Sequence, residues 1–274
     1  MAAITLYLAL QRTRWITLMP PDAYSQSKTA LLALGGHRVW SLMATLFGDL
    51  AQEEGNTIDG PVLSAVMAEM DIRPEAVRVA LYRLRNDGWI VSEKQGRTGR
   101  HSLTPTSRAE TQAASARIYA DPNVSHAEWA LALTETANDA DEMAASGFVA
   151  LLPRVYLGSP RSNPPTATLM LSGGTPPDWL RTQLAPALLE GEYARLLPQL
   201  QTAHDTLRAS ALSPLQIAVI RCLIVHNWRR IVLRHPHVPD PLLPDDWTGR
   251  ACHKLVDTLL SRLPRPALAH ITPT

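Results

Sequence analysis

The alternation of apolar and polar positions in the first part of the chain predicts three consecutive short helices. Apolar residues recur at intervals of three and four over residues 37–52, 58–70 and 73–88, and this spacing is typical of amphipathic helices. Pro74 at the start of the third helix and Gly88 just past its end fit the usual asymmetry of helix ends. We therefore expect three helices in this region, the third ending close to Gly88.

The pattern then changes to that of a β-hairpin. Residues 89–95 and 100–103 have the composition of two short strands around a Gly-Arg-Thr-Gly turn, and a further helix begins at Thr104-Pro105. Three helices followed by a hairpin is the plan of a winged helix-turn-helix. We place this domain at residues 28–120 and interpret residues 1–27 as a tail.

The remainder of the chain predicts two further domains. Over residues 121–187 short strands alternate with short helices, which favours a small ferredoxin-like α+β domain. Residues 147–158 are interpreted as a single strand of that domain. Residues 188–274 return to helical spacing and predict an all-helical C-terminal domain. The expected fold class is thus α+β, with an N-terminal winged helix-turn-helix, a ferredoxin-like middle domain and a helical C-terminal domain.

Composition narrows the class of protein. Hydrophobic residues make up 46% and charged residues 19% of the chain, as in ordinary globular proteins. A formal net charge of +1 argues against a wholly basic nucleic-acid coat protein. Two cysteines supply no disulfide framework, so a reducing cytoplasm is the expected location. The apolar stretch at residues 2–10 is too short to span a bilayer, and we expect no membrane association.

Positive charge is nevertheless concentrated in one segment. Residues 73–101 carry seven basic and three acidic side chains, a net charge of +4, whereas the rest of the chain nets −3. If one face of the third helix packs on the core, its other face presents arginine and asparagine, which pair with base edges in a major groove. Basic groups at the hairpin turn suit phosphates or would reach a minor groove. The predicted DNA-binding residues are Arg73, Arg78, Tyr82, Arg83, Arg85, Asn86, Lys94, Arg97 and Arg100.

The same charges also permit a purely structural interpretation. Arg83 or Arg85 would then merely pair with Asp87 or Glu75 on a solvated helix. We expect Trp89 to cap the core rather than to stack on a base. We expect His101 to lie on the surface of the wing.

Four stretches of the chain resemble the PaaX family of transcriptional repressors, which control phenylacetate degradation. They are SLMATLFGDL (41–50), VRVALYRLRNDGWI (77–90), GRTGRHSLT (96–104) and HNWRRIVLRHPHVPDPLLPDDWTGRA (226–251). The resemblance implies the same three-domain plan and a homodimeric repressor that binds double-stranded DNA at a palindromic operator. It also implies release from the operator by an acyl-CoA effector such as phenylacetyl-CoA.

An acyl-CoA effector needs cations for its phosphates and an apolar slot for its acyl group. We expect it to bind between the middle and C-terminal domains. No Gly-rich phosphate loop occurs in the sequence, and the alternative is that the C-terminal motif simply holds its domain together. The candidate effector-binding residues are Arg221, Trp228, Arg229, Arg230 and Trp247.

A second hypothesis is a metal- or acyl-CoA-dependent enzyme that carries the winged helix as an interaction module. Cys222 and His226 are four residues apart, and His235, His237 and His253 follow, which leaves a metal site open. The apolar setting of Cys222 favours a buried thiol instead. No serine hydrolase elbow or nucleotide-binding loop occurs. We therefore assign no catalytic residue, metal or cofactor.

Overall fold

The computed structural model describes residues 22–124, 128–136, 139–185, 187–234 and 238–271. Its elements confirm a mixed chain of helices and two small sheets, the α+β class predicted from the sequence. The helices are α1 (Ala23–Leu32), α2 (Val39–Leu50), α3 (Gly60–Glu69), α4 (Pro74–Asn86), α5 (Pro105–Ile118), α6 (Ala140–Ala145), α7 (Asp178–Leu184), α8 (Ala187–Thr206), α9 (Pro214–Val232) and α10 (Thr248–Arg262). The strands are β1 (Ile58–Asp59), β2 (Ile90–Gln95), β3 (Thr98–Leu103), β4 (Ala130–Leu133), β5 (Val149–Leu152), β6 (Val155–Gly158) and β7 (Leu169–Ser172).

Helices α2 to α4 and the β2–β3 hairpin follow one another in the order of a winged helix. The hairpin is antiparallel, and β1 adds a third strand on the outer side of β3. Gln95 pairs with Thr98, so the turn consists of Gly96 and Arg97 alone, and Gly96 has a φ of 62°. That conformation favours glycine and permits a two-residue turn, which is shorter than the one the sequence suggested.

Residues 22–27 are not part of a tail, contrary to the boundary drawn from the sequence. Helix α1 begins at Ala23, and Asp22 caps it by accepting a hydrogen bond from the Ser25 amide at 2.7 Å. Its buried side includes Leu31, and the Ser27 hydroxyl lies 2.7 Å from that of Thr206 in α8. The expected boundary between residues 27 and 28 therefore falls inside a helix that packs on α8 and α9.

The middle sheet has the strand order β5-β6-β4-β7 and is antiparallel throughout. This is the strand order of a ferredoxin-like fold, with α6 placed between β4 and β5 as expected. A complete ferredoxin-like unit has a second helix before its last strand, but residues 159–168 form a loop here. The ferredoxin-like interpretation thus holds for the sheet and not for that second helix, since α7 follows β7 instead.

The single strand predicted over residues 147–158 is a hairpin. Strands β5 and β6 pair with each other across a tight turn at Pro153 and Arg154. Arg154 has a φ of 69°, a left-handed conformation that closes the turn. The sequence did not predict this turn, because only Pro153 and Arg154 interrupt the apolar residues between Phe148 and Leu157.

One hydrophobic core runs through the N-terminal and C-terminal parts of the described chain. Helix α9 lies at its centre and contacts α1, α2, α5, α8 and α10. The middle sheet has a small core of its own on one face, whereas Leu157 on the other face joins the main core. The winged helix therefore packs directly on the C-terminal helices.

No helix in the described ranges is both long enough and apolar enough to cross a lipid bilayer.

Candidate nucleic-acid interface

Helix α4 is amphipathic in the sense that the sequence predicted. Val77, Ala80 and Leu84 are buried against the core of the winged helix. Their spacing of three and four residues places them on one side, so the other side faces solvent. Pro74 is its first residue, and Gly88 follows its end with a φ of 70°.

The solvent side of α4 combines polar and apolar groups. Arg78 and Asn86 are exposed, and Val79 and Tyr82 expose 69% and 59% of their surfaces. The Arg85 guanidinium lies 5.7 Å from the centre of the Tyr82 ring. This side thus offers hydrogen-bond donors, an acceptor and two apolar groups to a partner.

Two of the arginines of α4 make ion pairs with neighbouring carboxylates. Arg78 lies 2.8 Å from Glu75, and Arg83 lies 3.4 Å from Asp87. Arg83 also stacks over the ring of Trp40 at 5.0 Å. The ion pair between Arg83 and Asp87 is one that the purely structural interpretation of these charges predicted. Exposed pairs of this kind contribute only about 0–1 kcal/mol, so either arginine can exchange its carboxylate for a DNA group at low cost.

The wing carries the other predicted cations. Lys94 and Arg97 lie exposed at the tip of the hairpin. Arg100 is half-exposed and lies 3.0 Å from Asp59, so it also ties β3 to β1. Within the part of the chain that the structure describes, Arg73, Lys94 and Arg97 make no ion pair. The tip and the start of α4 are thus sources of uncompensated positive charge.

His101 is buried, and the expectation that it lies on the wing surface was wrong. Its Nδ1 is 2.8 Å from the Ser92 hydroxyl on the paired strand. Burial and the nearby Arg85 lower the pKa of His101. Trp89 packs against the core, as expected, and its carbonyl accepts a hydrogen bond from the Ser107 hydroxyl. His101 thus links the two strands of the hairpin, and Trp89 links the hairpin to α5.

Arg221, a predicted effector-binding residue, lies in a buried ion pair. Its guanidinium donates to both carboxylate oxygens of Asp49 in α2, at 2.9 and 2.7 Å. Asp49 also accepts from the Tyr119 hydroxyl at 2.9 Å and from Arg265 at 3.1 Å. Burial opposes ionisation of Asp49, but the contacts with Arg221 outweigh it and keep the pKa of this carboxyl below its usual value.

The other four predicted effector-binding residues also make internal contacts. Trp228 donates its ring N–H to the Ile118 carbonyl at 2.9 Å. Arg229 donates to the side chains of Ser41 and Thr45 in α2, both at 2.8 Å. Arg230 donates to the Gly35 carbonyl at 2.8 Å, and Trp247 is buried edge-on against Tyr193 at 5.3 Å.

Residues 226–230 of α9 connect the C-terminal helices to the N-terminal part of the chain. The first two contact the N-terminal part, because His226 lies 3.2 Å from the Thr45 hydroxyl and Asn227 donates to the Leu31 carbonyl at 3.2 Å. The next three do so through their hydrogen bonds to α5, to α2 and to the loop between α1 and α2. The first five residues of the C-terminal motif that resembled a family signature therefore contact α1, α2, α5 and the loop between α1 and α2.

Arg230, Arg221 and Arg229 line three separate cavities, of about 440, 390 and 90 Å³ respectively. The predicted effector-binding residues thus do not converge on one site. The largest of these three cavities lies between the C-terminal end of α1, α8 and α9 rather than between the middle and C-terminal domains. Its walls combine cationic and apolar side chains, among them Leu34, Arg195, Leu196, Arg230, Ile231 and Arg234.

The side chains of the possible metal site have other neighbours. The Cys222 thiol lies 3.6 Å from the Leu42 carbonyl, and its pKa is raised by burial. His226 is fully buried, and burial together with Arg229 lowers the pKa of its ring to about 3.

The remaining histidines of that set are placed differently. The His253 ring nitrogen lies 2.7 Å from the Ala120 carbonyl, and its ring stacks on Trp228. His235 and His237 lie outside the described residues. In the ranges that are described, no group of three or more His, Cys, Asp or Glu side chains is placed to hold a metal ion.

The order of α2, α3, α4 and the hairpin is that of a winged helix, and α4 has an exposed basic side. Residues 38–107 match the family model described as PaaX-like protein, and residues 187–273 match that of the PaaX-like protein C-terminal domain. The chain belongs to the PaaX-like protein family. The resemblance found in the sequence is thereby confirmed at both ends of the chain.

Two known proteins are similar to this chain over most of its length. The transcriptional repressor PaaX of Escherichia coli (strain K12) is 26% identical over 265 residues, which cover 85% of this chain and 82% of that protein. The solved structure of the uncharacterized protein Rv0674 from Mycobacterium tuberculosis is 19% identical, with a TM-score of 0.45. That match covers 81% of this chain and 94% of the other.

Proposed function

We propose that the protein is a DNA-binding transcriptional repressor. The observation that carries this proposal is the exposed side of α4, which presents Arg78, Tyr82 and Asn86 beside a wing tip with Lys94 and Arg97. Membership of the PaaX-like family supports it, as does the similarity to a protein named a transcriptional repressor. No catalytic role is assigned to any residue.

In the proposed complex α4 lies in the major groove of double-stranded DNA. Arg78, Tyr82 and Asn86 face base edges, since arginine and asparagine match the donor and acceptor patterns of guanine and adenine. Arg83 and Arg85 on its flanks and Arg73 at its start contact phosphates. The wing cations Lys94 and Arg97, with Arg100 behind them, hold the sugar-phosphate backbone.

The proposed assembly is a homodimer on a palindromic operator. A two-fold axis between two subunits presents two copies of α4 to equivalent half-sites. For major-groove contact on one side of the duplex these half-sites lie about 34–36 Å apart, or a multiple of that distance.

The proposed effector is an acyl-CoA such as phenylacetyl-CoA, and the regulated genes those of an aromatic-acid catabolic operon. The cavity of about 440 Å³ beside Arg230 supports this, because it combines arginines with apolar walls. Arg230 also bonds the Gly35 carbonyl, three residues before the Arg38 cap of α2. A ligand there releases DNA only if it binds more tightly to the arrangement that cannot hold the operator.

The test is a mobility-shift titration with the DNA upstream of the protein's own gene. Phenylacetyl-CoA is expected to abolish the shifted band, whereas free phenylacetate and free CoA leave it unchanged. A shift that the thioester does not affect would retain the repressor and discard this effector. Absence of any shift at low salt would discard the repressor itself.

A further inference from the structure

Val79 is exposed at a position of α4 where valine contributes neither to core packing nor to helix stability. It leaves 69% of its surface in solvent, more than any other large hydrophobic side chain in the described winged helix. Valine is also a weaker helix former than the alanine, lysine or glutamate that usually fill exposed helical positions, because its branched Cβ restricts rotamers. Neither packing nor helix propensity therefore explains this side chain.

The position of Val79 on α4 suggests what it contacts. It is the sixth residue of the helix, next to Arg78 and one turn before Tyr82 on the solvent side. In helix-turn-helix proteins the N-terminal part of the recognition helix approaches the base edges most closely. Asn86, two turns further on, shares this side and extends the same line of contact.

We propose that Val79 contacts the 5-methyl group of a thymine in the major groove. The inference rests on the proposed function, since it assigns part of the sequence preference to this residue. Among the four base pairs, the thymine methyl is the one apolar group that the major groove displays. Arg78 and Asn86 match polar base edges, so a preferred site that contains a thymine next to them fits this surface as a whole.

The stiffness of the side chain favours such a contact. In a helix valine holds essentially one χ1 rotamer, so its two methyl groups are already fixed before binding. Little side-chain freedom is then lost when a base methyl packs against them. Removal of the thymine methyl is expected to weaken binding about fourfold per half-site, the factor for one buried methylene-sized group.

The experiment replaces each thymine of the bound upstream DNA, one position at a time, by deoxyuridine, which lacks only that methyl group. Wild-type protein is expected to lose about fourfold in affinity at one thymine per half-site. Val79→Ala is expected to bind the thymine DNA about fourfold more weakly and to bind thymine and deoxyuridine DNA equally at that position. Val124→Ala is the matched control, because Val124 is exposed to 60% outside the winged helix, and it is expected to behave as wild type.

The outcomes separate this inference from the function on which it rests. If the protein binds the DNA but no deoxyuridine substitution weakens binding, the thymine contact is overturned and the repressor stands. If Val79→Ala still distinguishes thymine from deoxyuridine, another residue makes the contact and the assignment is equally overturned. Failure of the wild-type protein to bind any of these DNAs would overturn both. Circular dichroism verifies that Val79→Ala is folded, which its exposure leads us to expect.

Discussion

At the scale of single residues, Arg78 lies on the solvent side of α4 with its guanidinium 2.8 Å from Glu75. Replacement by alanine is expected to cost about 1–3 kcal/mol of DNA binding and to relax the preference at one base position. Because the side chain is exposed, the free energy of unfolding should change by less than about 0.5 kcal/mol. Binding titrations against single-base operator variants measure the first effect, and urea unfolding the second.

The matched control for that prediction is Arg161→Ala, which removes an exposed arginine from the middle domain. It should leave DNA binding unchanged. An equal loss across all operator variants would make Arg78 a phosphate contact. No loss at all would remove Arg78 from the interface.

For Asp49 we expect a mutation to change the stability of the fold rather than DNA binding. Asp49→Asn leaves the buried Arg221 guanidinium without its counter-charge, and such uncompensated charges cost about 3–5 kcal/mol. Urea unfolding at neutral pH measures this loss. Asp87→Asn removes a carboxylate from an exposed pair with Arg83 and should cost less than about 1 kcal/mol. Similar effects of the two changes would contradict the assignment.

The two residues also show what the sequence could and could not predict. The exposed position of Arg78 follows from helical periodicity, because its apolar neighbours define the buried side. Asp49 stands in the apolar run ATLFGDLA, and that setting signals a buried acid without naming its partner. Its partner Arg221 lies 172 residues away, a separation that no local pattern reveals.

At the scale of elements, the wing is predicted to hold the DNA backbone. Lys94→Gln and Arg97→Gln each remove one exposed cation from the hairpin tip and should weaken binding equally for all DNA sequences. The slope of log affinity against log salt concentration should become shallower by about one for each phosphate that the variant no longer binds. Titrations between low and moderate salt measure this slope. An unchanged slope would place the tip away from the DNA.

The buried His226 in helix α9 leads us to expect that the free energy of unfolding depends on pH. Burial and Arg229, with His37 and Arg230 also near, lower the pKa of His226 to about 3. In the unfolded chain the ring titrates near pH 6.5, so below that pH the unfolded state gains a proton that the folded state does not. The free energy of unfolding is therefore expected to fall as the pH drops, by about 2 kcal/mol between about pH 6.5 and 5.

The control for this pH dependence is His226→Asn, which keeps a polar group near the Thr45 hydroxyl but cannot titrate. Its unfolding free energy should vary less with pH over the same range. A residual slope remains, because burial and Arg230 also lower the pKa of His37. Identical pH profiles for the variant and the wild type would show that His226 is not buried in neutral form.

The elements themselves were predictable wherever apolar periodicity was strong. Helix α4, with its proline start and glycine end, and the long helices α8, α9 and α10 agree with the sequence pattern. Helix α1 was missed because half of AYSQSKTALL is polar and only Tyr24, Ser27 and Leu31 are buried. The β5–β6 hairpin was missed because one apolar run covers both strands and the turn lacks a glycine.

At the scale of the whole molecule, the C-terminal motif joins the ends of the chain. Residues 226–230 bond to α1, α2 and α5 rather than to one ligand site, so the winged helix rests on α9 itself. From the sequence, Trp228, Arg229 and Arg230 were predicted to bind an effector. What their side chains contact depends on packing between distant segments, which their spacing does not encode.

The contacts of residues 226–230 bear on the proposed regulation by an effector. The cavity beside Arg230 lies next to the contact between Arg230 and the Gly35 carbonyl. Gly36 follows with a φ of 72°, and a side chain there would collide with the Arg230 guanidinium. In the proposed regulation, a ligand that moves Arg230 would act on the segment leading into α2, and through it on the placement of the winged helix.

One titration tests most directly whether α4 and the wing bind DNA in a sequence-specific manner. Labelled DNA from upstream of the protein's own gene is titrated by fluorescence anisotropy, beside scrambled DNA of equal length, at several salt concentrations. We expect binding at least about a thousandfold tighter to the upstream DNA, with affinity that falls steeply as salt rises. Equal affinity for both DNAs, or none for either at low salt, would show that this surface does not read an operator.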